Sequence, residues 1–465
     1  MIDVDQVLQT MPHFTSFCSV DKLRALVESL QTESTHFKIE VAGTSRNGFP
    51  IHHLQFGSGS VKALVVGFPH CDEPIGGLTV FSLLTLLNQG NSALVDSDVE
   101  WHIVPCIDPD GAMLNEGWSQ KAFTLESFMR NFHKQVDCEQ VECSFPIKYK
   151  NLVFNQPVIE TTVLQEIISK IRPDFYYPLH NAWAGGAFFF LTRDIGEKYY
   201  QKFYQLLNQH GIPLQVSAPH RAWCAQFGEG IYEMSTMRKF YDFLERTCPA
   251  PEEVLHVGAC SWEYLTEIKQ SAISFVAELP YVRHPSDGSR RATGQNQRQL
   301  KLRIDADNKF VATVILEEWD HVKEDLDLDS AFYKKVANGL VSTKDMLHEG
   351  LPWSPYKTRD LLFNPAYGGP MTEGELFNVF LFDRFYVLCH SYEFVRLLKA
   401  STQTAAVKRA TDRLEALFGT ALEDIAKSIA FGEFEVVDCD TLAKVQLGSG
   451  LTVLNSILET RGNAS

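Results

Sequence analysis

The sequence predicts an α/β fold, because short apolar segments that read as strands alternate with longer segments of helical periodicity over about residues 36–280. Two of the apolar segments, ALVVGF (63–68) and AISFVAEL (272–279), are continuous rather than alternating, as strands buried on both faces of a sheet are. Beyond about residue 330 only helical spacing recurs, so a mainly helical C-terminal unit is expected to follow. A chain of 465 residues is too long for one ordinary core. The expected division is a helical lead-in over 1–35, an α/β domain over 36–330 and the helical unit over 331–465.

In the lead-in, Val7, Leu8, Leu23, Leu26, Val27 and Leu30 recur at helical spacing. FKIEVAGTSRNGFPIHHLQFG reads as two strands joined at Asn47-Gly48, a strong hairpin signal. After the 63–68 strand, Pro74 opens a helix over 75–87. HIVPCI (102–107) is an interior strand ending in the turn DPDG. A helix over 163–171 precedes a strand over 174–179, which ends at His180. A strand over 187–191, a helix over 197–209 and the strand over 272–279 complete the domain. In the last third, Thr372-Glu373-Gly374-Glu375 resembles a capping box. Two further helices are expected, 407–418 closed by Gly419 and 420–431. This unit could be a lid, a homo-oligomer interface or a layer that completes the core.

Hydrophobic content of 45% is a globular value, and the net charge of −16 argues against nucleic acid as a partner, since phosphate binding needs a basic face. The N-terminus lacks the basic and apolar regions of a secretory signal, and no apolar run approaches a membrane span. LFNVFLFDRFYVL is broken by Asp383 and Arg384. None of the ten cysteines forms a CxxC pair, so they read as reduced thiols of a cytoplasmic protein, Cys71 included.

His-x-x-Glu supplies two metal ligands, and it occurs three times: His70–Glu73, His321–Glu324 and His390–Glu393. His321 lies in a charged stretch and His390 in a helical pattern, where structural roles are expected. His70 ends a buried strand just before a turn and a helix, which aims both side chains into a crevice at the sheet edge. A catalytic zinc ion takes a third protein ligand and leaves a place for water. His180, at the end of another strand, is either that ligand or a hydrogen-bonded core histidine. Gly185-Gly186 just beyond it would let backbone approach a ligand closely. Glu278 closes a run too apolar for an unpartnered carboxylate, and a general base for the attacking water is such a partner role.

The ordered set HCDE (70–73), DPDG (108–111), RNF (130–132), LH (179–180) and AELP (277–280) resembles the zinc carboxypeptidase family of metallopeptidases. The hairpin and SWEYLTE (261–267) add to the resemblance, which covers about residues 36–280. It implies an α/β/α fold around a mixed, largely parallel eight-stranded sheet, with one Zn2+ per chain held by His70, Glu73 and His180. It also implies that Glu278 acts as general base and then acid, and that Arg130 clamps the free carboxylate of a peptide. Read without that resemblance, Arg130 is a surface arginine.

This sequence departs from the family at Met129, where an asparagine is expected beside Arg130, and at residues 110–121, where the carbonyl-polarising arginine is missing. The family's mobile tyrosine also has no counterpart in EEVLHVGAC (252–260). Arg193, Arg221, Lys121 and His256 are candidates for the missing donor. Three functions follow: a carboxypeptidase, a zinc amidohydrolase of an N-acyl amino acid or other small amide, and an inactive relative used as a binding module.

Overall fold

The computed structural model describes residues 1–215, 223–246, 248–340, 370–428 and 433–462. The chain divides into two compact units, the first built from Met1–Lys121, Asp137–Tyr281 and Val437–Ser465, the second from Ala122–Val136 and Val282–Val436.

In the first unit, strands β1 (Phe37–Thr44), β2 (Pro50–Phe56), β3 (Val61–Val66), β4 (Val99–Val104), β5 (Phe175–Pro178), β6 (Phe188–Leu191), β7 (Gln226–Gly228), β8 (Ile231–Glu233) and β9 (Ile273–Glu278) form a mixed sheet. Its order is β1-β2-β4-β3-β5-β9-β6-β8-β7. The central strands β4, β3, β5 and β9 are mutually parallel, while β2 and β6 flank them antiparallel. The sheet has nine strands rather than the expected eight, and the three-residue strands β7 and β8 are too short to show a period in the sequence. From β3 the chain passes through the Ile75–Asn88 helix to β4, then back through the Ile159–Ile171 helix to β5. These crossovers run in opposite directions along the sheet, so right-handed connections put the two helices on opposite faces. The α/β/α layering follows from that.

The observed division differs from the linear one of 1–35, 36–330 and 331–465, and the last helix shows why. Cys439–Gly462 is buried without interruption from Val445 to Ile457, so that stretch has no polar face to turn to solvent. It packs against the Ile75–Asn88 and Glu197–Gln209 helices within the first unit. The lead-in joins it there: Ile2 N donates to Asn455 Oδ1 at 2.7 Å, and Asn455 Nδ2 donates to the Ile2 carbonyl at 2.9 Å.

The second unit is mainly helical, with Gln297–Val322, Glu373–Phe380, Val387–Ala400 and Ala405–Ser428. The capping box forms: Thr372 N donates to Glu375 Oε2 at 2.7 Å, and Glu375 N donates to Thr372 Oγ1 at 3.3 Å. Gly419 does not close a helix. Ala405–Ser428 runs straight through it, since a glycine ends a helix only where it turns left-handed. The expected end of the following helix at Phe431 lies outside the described residues.

Candidate metal centre

Three neighbouring parallel strands deliver the candidate side chains at their C-terminal ends. Val66 of β3 lies opposite Pro178 of β5, and Ser274 of β9 lies opposite Tyr176 of β5. Glu278 closes β9, the strand next to β5, and lies opposite Phe188 of β6. Beyond β3, Phe68 adopts a left-handed backbone (φ 54°), a strained conformation for an aromatic residue and one that clusters at functional turns. Glu73 N then donates to the His70 carbonyl at 3.3 Å, so both side chains issue from one tight turn.

One ligand atom from each of His70, Glu73 and His180 lies within 4.8 Å of the other two. His180 Nδ1 stands 3.1 Å from Glu73 Oε2, and the His70 and His180 rings are 4.8 Å apart at 70°. Glu73 and His180 are buried, whereas His70 is partly exposed and gives the group an opening to solvent. Two imidazoles and one carboxylate are a donor set that fits a catalytic zinc ion with a fourth position left over. Among the described residues this is the one group of that kind.

Buried polar residues hold the group in place. Asn181 N donates to Glu73 Oε2 at 3.3 Å, and its side-chain amide donates to the Tyr281 hydroxyl. The Tyr281 hydroxyl donates in turn to the Asp72 carbonyl at 2.8 Å, which ties the 70–73 turn to the ends of β5 and β9. Burial, together with the nearby carboxylates of Glu73, Asp72 and Glu278, keeps this phenol protonated far above its ordinary range. Asn115 Nδ2 donates to the Cys71 carbonyl at 3.2 Å from the Pro109–Ser119 helix. The DPDG turn starts that helix: Asp108 Oδ1 accepts from Gly111 N at 3.0 Å, while Asp110 Oδ1 accepts from Ser45 Oγ at 2.8 Å in the hairpin turn. Trp262, on the Ser261–Ile268 helix, puts its ring 6.3 Å from that of His180. Beside it, burial raises the Glu142 carboxyl, and the charge of His180 with hydrogen bonds from Ser261 and Tyr176 opposes that rise.

Several of the residues singled out in the sequence have other partners or surroundings. Arg130 belongs to the second unit, where its guanidinium donates to Glu126 Oε1 at 2.8 Å, to Glu415 Oε2 at 2.8 Å and to the Tyr392 hydroxyl. Arg193 reaches the Ser271 carbonyl ahead of β9, at the opposite end of that strand from Glu278. Lys121 and His256 are exposed, and Arg221 lies outside the described residues. Gly186 serves chain packing: a Cβ there would come within 2.3 Å of Gln215 N. His321 is exposed near the end of the Gln297–Val322 helix, and His390 lies inside Val387–Ala400. Asn181 and Tyr281 directly follow the LH and AELP motifs and Trp262 lies within SWEYLTE, yet no local signal in the sequence marks these three side chains.

No family model matches the chain, and no curated protein does. Among solved structures, the carboxypeptidase A of Helicoverpa armigera is similar at 15% identity and a TM-score of 0.37, over 60% of this chain and 70% of that one. The metallo-carboxypeptidase of Burkholderia cenocepacia is similar at 15% identity and a TM-score of 0.33, over 57% and 60%. Bovine thrombin-activatable fibrinolysis inhibitor, solved with tick carboxypeptidase inhibitor, is similar at 11% identity and a TM-score of 0.36, over 56% and 86%. The first two of these solved structures are carboxypeptidases by name. At these identities and scores the likeness says nothing of activity, which rests on the residues themselves. No helix among the described residues is long and apolar enough to cross a membrane.

Proposed function

We propose that the chain is a zinc-dependent hydrolase that cleaves the C-terminal peptide bond of a peptide with a free carboxylate. The observation that carries this reading is the convergence of His70, Glu73 and His180 at the ends of adjacent parallel strands, with Glu278 at the end of the next. A bound zinc ion would supply a Lewis acid for the scissile carbonyl and lower the pKa of water towards about 7. His70 and His180 would hold the ion through imidazole nitrogens and Glu73 through a carboxylate oxygen. Asn181 and Tyr281 keep those ligands in register. Glu278 takes a proton from the attacking water at its carboxylate and passes it to the nitrogen of the departing amine.

The fate of Arg130 favours a second substrate class, an N-acyl amino acid or another small amide. Its guanidinium is committed to carboxylates of the second unit, and the reaction above is derived without it. Cleavage of free-acid peptides with rejection of amidated ones supports carboxypeptidase action, and indifference to the free carboxylate supports the amide substrate. Metal analysis tests the common ground: purified protein without stoichiometric zinc would leave only a binding module. Glu278→Gln should keep the metal and lose about 10²–10⁴-fold in kcat, the usual contribution of a positioned acid–base group. A variant with undiminished turnover would refute the role of Glu278.

A further inference from the structure

The polar contacts of the buried helix Cys439–Gly462 point into the metal centre, although its sequence has no part in the motifs. Gln446 is fully buried among Leu442, Ala443, Val445 and Leu447, surroundings that reject an amide without partners. Its Nε2 donates to the His180 carbonyl at 2.6 Å. Its Oε1 accepts from Thr79 Oγ1 at 2.6 Å, on the helix that begins two residues after Glu73. Its own carbonyl accepts from the Tyr177 hydroxyl at 2.7 Å, on the strand that leads to His180. The helix can come this close because position 450 is glycine: a Cβ there would lie 2.3 Å from Tyr177 Cε1.

We infer that Gln446 is a positioning residue for the metal centre, fixing the backbone of His180 against the helix that follows Glu73. The helix Cys439–Gly462 is thereby part of the site's support. The amide joins the segment that supplies His180 to the helix that follows the turn carrying His70 and Glu73, with a donor to one and an acceptor for the other. A hydrophobic residue of the same length would fill the space and hold neither. This rests on the zinc reading above.

Gln446→Met in the full chain keeps the volume and removes both hydrogen bonds. With apo thermal unfolding close to wild type, it should bind zinc about 10–100-fold more weakly in chelator competition, the usual cost of losing an outer partner of a ligand. The absorption spectrum of the Co2+-substituted protein should shift as well. Thr79→Val, which removes one of the two contacts, should move both readouts in the same direction by less. Should Gln446→Met fail to fold, Thr79→Val carries the test by itself, since it removes one of the amide's two side-chain contacts. Folded variants with wild-type zinc affinity and an unchanged Co2+ spectrum would overturn the inference and leave the zinc reading intact. A wild-type chain that takes up no zinc would overturn both.

Discussion

His70-Cys71-Asp72-Glu73 in the first unit and His390-Ser391-Tyr392-Glu393 in the second share one pattern, and their backbones give it different chemistry. The first spans a tight turn between a strand and a helix, so its side chains leave the sheet edge and meet His180. The second lies within the helix Val387–Ala400, where a spacing of three residues sets both side chains on one face, inside the helical layer. There Glu393, wholly buried, stands 3.0 Å from His133 Nδ1 and 3.6 Å from His390 Nδ1. Burial works against its charge. His133 and His390 outweigh that and hold the carboxyl at about 2. One pattern gathers donors around an opening, and the other closes an ion pair over a segment of its own unit. The comparison teaches that spacing nominates ligands and that the element carrying them decides.

The largest contrast should come from the two histidines. His70→Ala should abolish stoichiometric zinc and turnover, whereas His390→Ala should leave metal content unchanged; equal zinc in both purified variants would erase the distinction. Next in size, Glu393→Gln should cost about 3 kcal/mol in denaturant unfolding, because it strands a buried His133. Zinc affinity should not move.

Acid should weaken the second unit in two steps. Burial, with Lys335 nearby, lowers His390 to about 4 from an ordinary 6.5. The unfolded chain therefore binds this proton first, and stability falls as pH drops from 6.5 towards 4. Glu393, lowered from 4.5, adds stability above that value, which is lost as pH falls from 4.5 towards 2. Urea midpoints across this range check both signs, and His390→Phe should remove the upper step and shrink the lower one, since it takes away one of the two partners that hold Glu393 down. The smallest effect belongs to Arg130→Ala. Its ion pairs are partly exposed, so a loss of at most about 1 kcal/mol is expected, with the preference for free-acid over amidated peptides unchanged. Loss of that preference would restore Arg130 as the carboxylate clamp.

The sequence by itself determined the alternation of strands and helices, because apolar runs and helical periods are local signals. It also nominated His70, Glu73, His180 and Glu278, because charged or ligating residues at the ends of buried strands stand out against their neighbours. Only the tertiary structure decided that these strand ends are adjacent, that Arg130 belongs to another unit, and that the last helix returns to the first. Each of those depends on which distant segments share a core. Gln446 illustrates the limit: within its own helix it is one polar residue in an apolar run, and its partners Thr79, Tyr177 and His180 lie hundreds of residues away along the chain.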